Sequence, residues 1–195
     1  MKVIISTCKK YERVCELVVN SLNEARLPLS IVTIAENTVI DFHDVENIRI
    51  ENDNGWSFNM IKYLSEIDPD EPFLLWMDDL AIVNAPNATM LSLVEEYFKI
   101  EKIDALSVYM PAAYRVPEAF NNGYAPITSA LSNKYPFSCM CTLTTARFML
   151  KVLDKNESPW EFEHNMAAKL KSIGGRAELY ILGFNLFNVT NIVIR

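Results

Sequence analysis

The chain has 195 residues, half of them hydrophobic and 22% charged, with a formal net charge of −7 and a mean hydropathy of +0.07. This length carries one sizeable core, so residues 1–195 are expected to form a single domain. The acidic balance argues against a nucleic-acid partner, which needs a basic surface, and no apolar run approaches the roughly 18 residues of a membrane span. The apolar segment at the N-terminus is too short for a signal peptide, which points to the cytoplasm.

In chain order, Val3 to Thr7 is a short β-branched run bounded by polar residues and predicts a strand. Val14, Leu17, Val18, Leu22 and Ala25 then recur at helical spacing, predicting an amphipathic helix from Tyr11 to Arg26 that Pro28 stops. Ser30 to Ala35 and Asn47 to Glu51 read as the second and third strands, Ser57 to Ile67 as a helix, and Phe73 to Met77 as the fourth strand. Strands alternating with helices predict an α/β fold, a Rossmann-like, mainly parallel (mixed) sheet with helices on both faces. Ligands in such sheets bind beyond the carboxyl ends of the strands. Those ends are polar: Lys9, Lys10 and Arg13 follow the first, Glu36 and Asn37 the second, and Asn52, Asp53 and Asn54 the third.

The fourth strand ends in Asp78 and Asp79, after which the chain turns apolar again. An ionised carboxylate at the end of a core strand is costly to desolvate unless something pairs with it. Either the pair sits in a solvated turn, or it holds a hard cation that prefers oxygen ligands. The chain has five glycines, the first at Gly55, so neither a dinucleotide fingerprint nor a P-loop exists. A bound phosphate would depend on metal and basic side chains.

The remaining residue types exclude more than they assign. Cys8, Cys15, Cys139 and Cys141 match no zinc spacing and read as reduced, structural thiols, with Cys139 and Cys141 expected on one face of a strand. His43 and His164 are far apart in sequence and support no histidine-based site. Trp56 would precede an N-cap at Ser57 and staple onto Ile61, or stack beside a ligand. Lys9, Lys10 and Arg13 form either a solvated helix start or a diphosphate contact.

The order of strand, STCKKYER, helix, strand, AEN, strand, NDNGWSFNMIKYL, helix and FLLWMDD resembles the nucleotide-binding half of GT-A-fold glycosyltransferases. SPWEFEHNMAAKL, Ser158 to Leu170, is similar to the acidic helix start from which those enzymes supply a general base. The matches span about Val3 to Leu170. The family's usual Asp-x-Asp motif stands here as Asp78-Asp79-Leu80. The resemblance implies a nucleotide-binding half at 1–84 and an acceptor and catalytic half at 85–195. It implies donor contacts at Thr7, Lys9, Arg13, Glu36, Asn54, Gly55, Trp56 and Asp78, and a divalent metal, Mn2+ or Mg2+, at Asp78 and Asp79. The catalytic base would be Glu161 or Glu163, and the expected activity is transfer of a sugar from a nucleotide-sugar donor to an acceptor hydroxyl of a glycan or other molecule, with inversion.

The residues themselves divide the two glutamates. Ser158 is a good N-cap, Pro159 suits the first helical position, and Glu161 completes a capping box. Phe162, Met166, Leu170 and Ile173 define the buried stripe, with Glu163 at its edge. Partial desolvation there raises a carboxyl pKa, which suits a general base. Helical phase favours Glu163, and the family's use of the first turn favours Glu161. Two other classes remain open: a sugar-phosphate nucleotidyltransferase, which would want a glycine- and arginine-rich loop after the first strand, and a catalytically inert nucleotide-binding or assembly module.

Overall fold

The computed structural model describes residues 1–36, 41–51, 54–109, 127–129, 135–174, 177–182 and 186–192, with Glu36 and 127–129 described in backbone only. Its first strand, β1 (Lys2–Thr7), is followed by a short 3-10 turn (Lys9–Tyr11) and helix α1 (Glu12–Glu24). Then come β2 (Ser30–Glu36), β3 (Glu46–Ile50), α2 (Trp56–Leu64) and β4 (Pro72–Met77). These continue into β5 (Leu80–Asn84), α3 (Ala88–Ile100) and β6 (Ala105–Ser107). Beyond residue 126 lie β7 (Ile127–Ser129), β8 (Cys141–Thr145), α4 (Ala146–Val152), α5 (Pro159–Ser172), β9 (Leu179–Leu182) and β10 (Asn188–Asn191).

Among the described residues the main sheet has eight strands in the order β3-β2-β1-β4-β8-β6-β9-β7. β1 pairs in parallel with both β2 and β4, and β2 with β3. β8 enters antiparallel between β4 and β6. The carboxyl ends of β1, β2, β3, β4 and β6 therefore lie along one edge of the sheet, and the start of β8 joins them there, since Trp76 pairs with Cys141.

Burial explains why these runs became strands. Successive residues of β1 alternate between two cores: Ile4 packs with α2, α4 and α5, and Val3 and Ile5 pack with α1 and α3. A strand covered on both faces has no polar side, which is why it reads as a continuous β-branched run. The same two-core division separates Cys139 from Cys141, which belong to opposite cores. The expected common face is corrected: Cys141 opens β8, but Cys139 lies before the strand, where the period of two does not apply. All four cysteines are free.

Two local expectations also shift. On α1 the buried residues are Val14, Cys15, Val18, Val19 and Leu22, and Leu17 is 50% exposed. The stripe is rotated toward Cys15 and Val19, which face the sheet in place of Leu17. At α2 the N-cap is Gly55, not Ser57. Gly55 takes φ +98°, a backbone state that L side chains rarely adopt, so the cap position calls for glycine. Trp56 then becomes the first helical residue and packs on Phe162 of α5, ring centroids 5.6 Å apart, instead of stapling onto Ile61. Among the described residues no helix is long and apolar enough to cross a membrane.

Candidate active site

The apolar run from Pro72 to Asn84 is two strands joined by a tight turn. Asp78 and Asp79 are the turn, and β5 leaves the main sheet to form a two-stranded sheet with β10. The buried Trp76 indole N–H donates to the Leu80 carbonyl at 2.6 Å, clamping the turn from inside. The chain's last described segment closes over it: Asn191 pairs with Leu80, and the Ile192 amide donates to the Asp79 carbonyl at 2.7 Å.

The two aspartates have different surroundings. Asp78 lies beside Thr7 at the end of β1 and Cys15 of α1. Burial pushes its carboxyl up to about 6, Thr7 pulls the other way, and the charge of Asp79 adds to the rise. The Thr7 hydroxyl, itself buried, attracts that carboxylate without reaching ordinary hydrogen-bond geometry. Burial also drives the Cys15 thiol up to about 12, with the charge of Asp78 contributing. Asp79 is raised by burial too, and it lines a cleft.

The other side of that cleft is α5. Ser158 caps it, accepting from the Glu161 amide, while Glu161 Oε2 accepts from the Ser158 amide at 2.8 Å, the reciprocal capping box that the sequence predicts. These bonds hold the exposed Glu161 carboxyl below its ordinary value. Glu163 lines the same cleft as Asp79. Its Oε1 accepts from the Ser138 hydroxyl at 3.1 Å and from the Cys139 amide, and burial raises its pKa against those hydrogen bonds. Both of these donors meet the same oxygen, Oε1. Tyr135, Met140, Trp160, His164 and Asn191 complete much of the wall.

An ion network centred on the largely buried Lys169 and Glu157 braces α5. Lys169 reaches back to Glu157, to Asp154 at 2.9 Å and to the Val152 carbonyl at 2.7 Å. The Glu157 amide in turn donates to Ser57 Oγ on α2 at 2.9 Å. Phe162 wedges between Trp56 and Phe137. These contacts fix the helix start, and so the direction of Glu163, against the sheet edge.

Of the residues singled out in the sequence, the cleft brings together Asp79 and Glu163. Thr7 and Asp78 sit together next door, at the ends of β1 and β4. Lys9 and Arg13 stand exposed at the start of α1, with Lys9 paired to Glu12. Asn54 and Gly55 are exposed before α2, and Trp56 is half-buried. Glu36 ends β2; its side chain, Asn37, Asn52 and Asp53 lie outside the described residues. Ser138, Tyr135 and Asn191 carried no sequence signal, and Cys139 was read only as a structural thiol, because their roles depend on β8 entering beside β4 and on β10 returning to β5.

The residues fit a divalent cation. Asp78 and Asp79 are adjacent carboxylates disfavoured by burial, and among the described residues no lysine, arginine or histidine pairs with either. Among the described residues no third histidine, cysteine, aspartate or glutamate joins them in a metal-sized group. An ion held there would keep open positions for water and phosphate oxygens, the usual habit of Mg2+.

No protein-family model matches the sequence, and neither does any curated protein. Solved structures do match. Staphylococcus aureus TarS superposes with a TM-score of 0.64 at 15% identity, over 98% of this chain and 36% of that one. A UDP-glucose pyrophosphorylase complexed with UDP-glucose gives 0.53 at 9%, over 96% and 91%. The glycosyltransferase GlyE of Streptococcus pneumoniae TIGR4 gives 0.51 at 11%, over 94% and 54%. The chain thus spans about a third of TarS and about half of GlyE. With the strand order, the acidic turn after β4 and the helices on both faces, this similarity shows that the chain has a GT-A-like glycosyltransferase fold.

Proposed function

We propose that the chain is a nucleotide-sugar-dependent glycosyltransferase domain, with residues 1–84 holding the donor and 85–195 the acceptor and the catalytic base. The observation that supports this most directly is that Asp79 and Glu163 line one cleft at the carboxyl edge of the sheet. A carboxylate able to ligate a cation and a tethered, partly desolvated carboxylate able to act as a base suit sugar transfer by single displacement.

In this reading the nucleotide lies over the ends of β1, β2 and β3, near Thr7, Glu36, Asn54, Gly55 and Trp56, with Lys9 and Arg13 beside the diphosphate. Asp78 and Asp79 would hold a divalent cation, Mn2+ or Mg2+, whose chemistry is to neutralise charge on the departing diphosphate. Glu163 takes the proton from the acceptor hydroxyl. The acceptor oxygen then bonds to the anomeric carbon as the bond to the phosphate oxygen breaks, the electron pair leaving with the nucleoside diphosphate. The two donors on Oε1 keep the carboxylate from turning away, and burial raises its basicity. Glu161 is assigned to the helix cap.

The test combines binding and turnover. Nucleoside diphosphates should raise the melting temperature, more so with Mn2+ or Mg2+, since a ligand selective for the folded state stabilises it by mass action. Asp79→Asn should remove the metal-dependent part. Glu163→Gln should keep donor binding and lose on the order of 100-fold or more in transfer. Full turnover in Glu163→Gln would end the assignment of this base. A second reading, sugar-phosphate nucleotidyl transfer, is favoured by coverage of 91% of the pyrophosphorylase's length. Pyrophosphate release from a nucleoside triphosphate and a sugar phosphate would establish it instead.

A further inference from the structure

The cleft wall holds one large side chain that neither the fold nor the chemistry above uses. Trp160 is 68% exposed, the highest value among the exposed large hydrophobic residues described. Its neighbours on α5 all have work: Ser158 and Glu161 close the capping box, Phe162 is buried against Trp56 and Phe137, and Glu163 is tethered. Trp160 contributes nothing to the cap, and an indole left in water forgoes the burial that usually places tryptophan inside. It lines the cleft with His164, one helical turn on, and Tyr135, whose ring meets the imidazole edge to face with centroids 5.0 Å apart.

We propose that this aromatic wall is the acceptor subsite and takes a pyranose ring, with Trp160 as its stacking platform. The inference rests on the reading of Glu163 as the base. A pyranose has an apolar C–H face and a rim of hydroxyls. The negative face of an indole attracts those C–H groups. Met77 and Met140 supply further adaptable apolar surface, and Glu163, His164 and Asn191 supply hydrogen-bonding groups in the same cleft. A nucleobase would also stack on an indole. Trp160, however, stands on the helix of Glu163, three residues before it, while the nucleotide is assigned to the ends of β1 to β3. The base acts on the acceptor, so a ring beside it is the acceptor's. Trp160 then selects which acceptors bind and leaves the bond-forming step to Glu163.

Intrinsic fluorescence and calorimetry test this. Trp76 is buried and Trp56 half-buried, which leaves Trp160 as the exposed indole. Methyl glycosides of glucose, galactose and N-acetylglucosamine, and their disaccharides, serve as probes. At least one should shield the wild-type protein from acrylamide quenching and shift its emission to the blue. Its affinity should fall about tenfold in Trp160→Ala and stay within about threefold in Trp160→Tyr. In transfer assays Trp160→Ala should raise the acceptor KM about tenfold with a much smaller change in kcat. Equal affinity in wild type and Trp160→Ala, no shielding by any glycoside, or a loss confined to kcat would each overturn the proposal. So would a blue shift that depends on protein concentration without sugar, which would mean that a second copy covers Trp160. Glycoside binding at Trp160 with no transfer from any donor would uphold the subsite and refute the transferase reading. Transfer with an unchanged acceptor KM in Trp160→Ala would do the reverse.

Discussion

Asp78→Asn in metal-free protein isolates the cost of holding a carboxylate at the end of β4. Burial carries this group from an ordinary value of 3.8 to about 6. Between those values the native state keeps a proton that the unfolded chain has released. Stability is therefore greatest with the proton on, and it falls as pH rises from about 4 through about 6. At 1.36 kcal/mol per pH unit, the full penalty above pH 7 is about 3 kcal/mol. Asparagine has no charge to desolvate and can still meet the Thr7 hydroxyl, so the variant should match wild type near pH 4 and exceed it by up to about 3 kcal/mol at pH 8. For a chain of this size that is at most roughly 6–12 °C in Tm. The assay is thermal or urea unfolding in EDTA from pH 4 to 8. A variant less stable than wild type throughout, or a difference that does not change with pH, would show that neighbouring groups favour the charge, and it would remove the argument that this turn awaits a cation.

Further outcomes are expected. Glu161→Ala should cost roughly 0.5–2 kcal/mol by loss of the capping box, while Glu161→Gln should keep both stability and most turnover, checked by urea midpoint and kcat. Because burial raises Glu163, the acid limb of the pH–rate profile should fall above the ordinary glutamate value and vanish in the residual activity of Glu163→Gln. Lys169→Met leaves the largely buried Glu157 carboxylate without its counter-charge, held only by Asn165 and the Asp154 amide, and should destabilise by up to about 3–5 kcal/mol, with much of the loss recovered by adding Glu157→Gln.

The parts of the molecule legible in the sequence are those decided within a few residues. β1 and β4 announce themselves as continuous apolar runs because both faces of each strand are covered. The polar residues that follow them mark the carboxyl edge of the sheet because parallel strands all end there. The capping box at Ser158 and Glu161 is a bargain between residues three apart, and the phase of α5 follows from Phe162, Met166 and Leu170 alone. By the same local geometry Glu163 falls at the edge of the buried stripe.

What required the tertiary structure is everything settled between distant segments. Leu80 to Asn84 looks like more of the same apolar run, and only pairing with β10, about a hundred residues later, makes it a strand that folds the acidic turn back. That turn then gives Asp78 and Asp79 different neighbours, which adjacency in sequence does not reveal. Ser138 and the Cys139 amide reach Glu163 because β8 runs antiparallel beside β4 and brings the residues that precede it to the carboxyl edge of the sheet. The position of Leu17 and the helix start at Gly55 were decided in the same way. Local periodicity says that a helix has an apolar side, but which residues meet the sheet depends on where the sheet is.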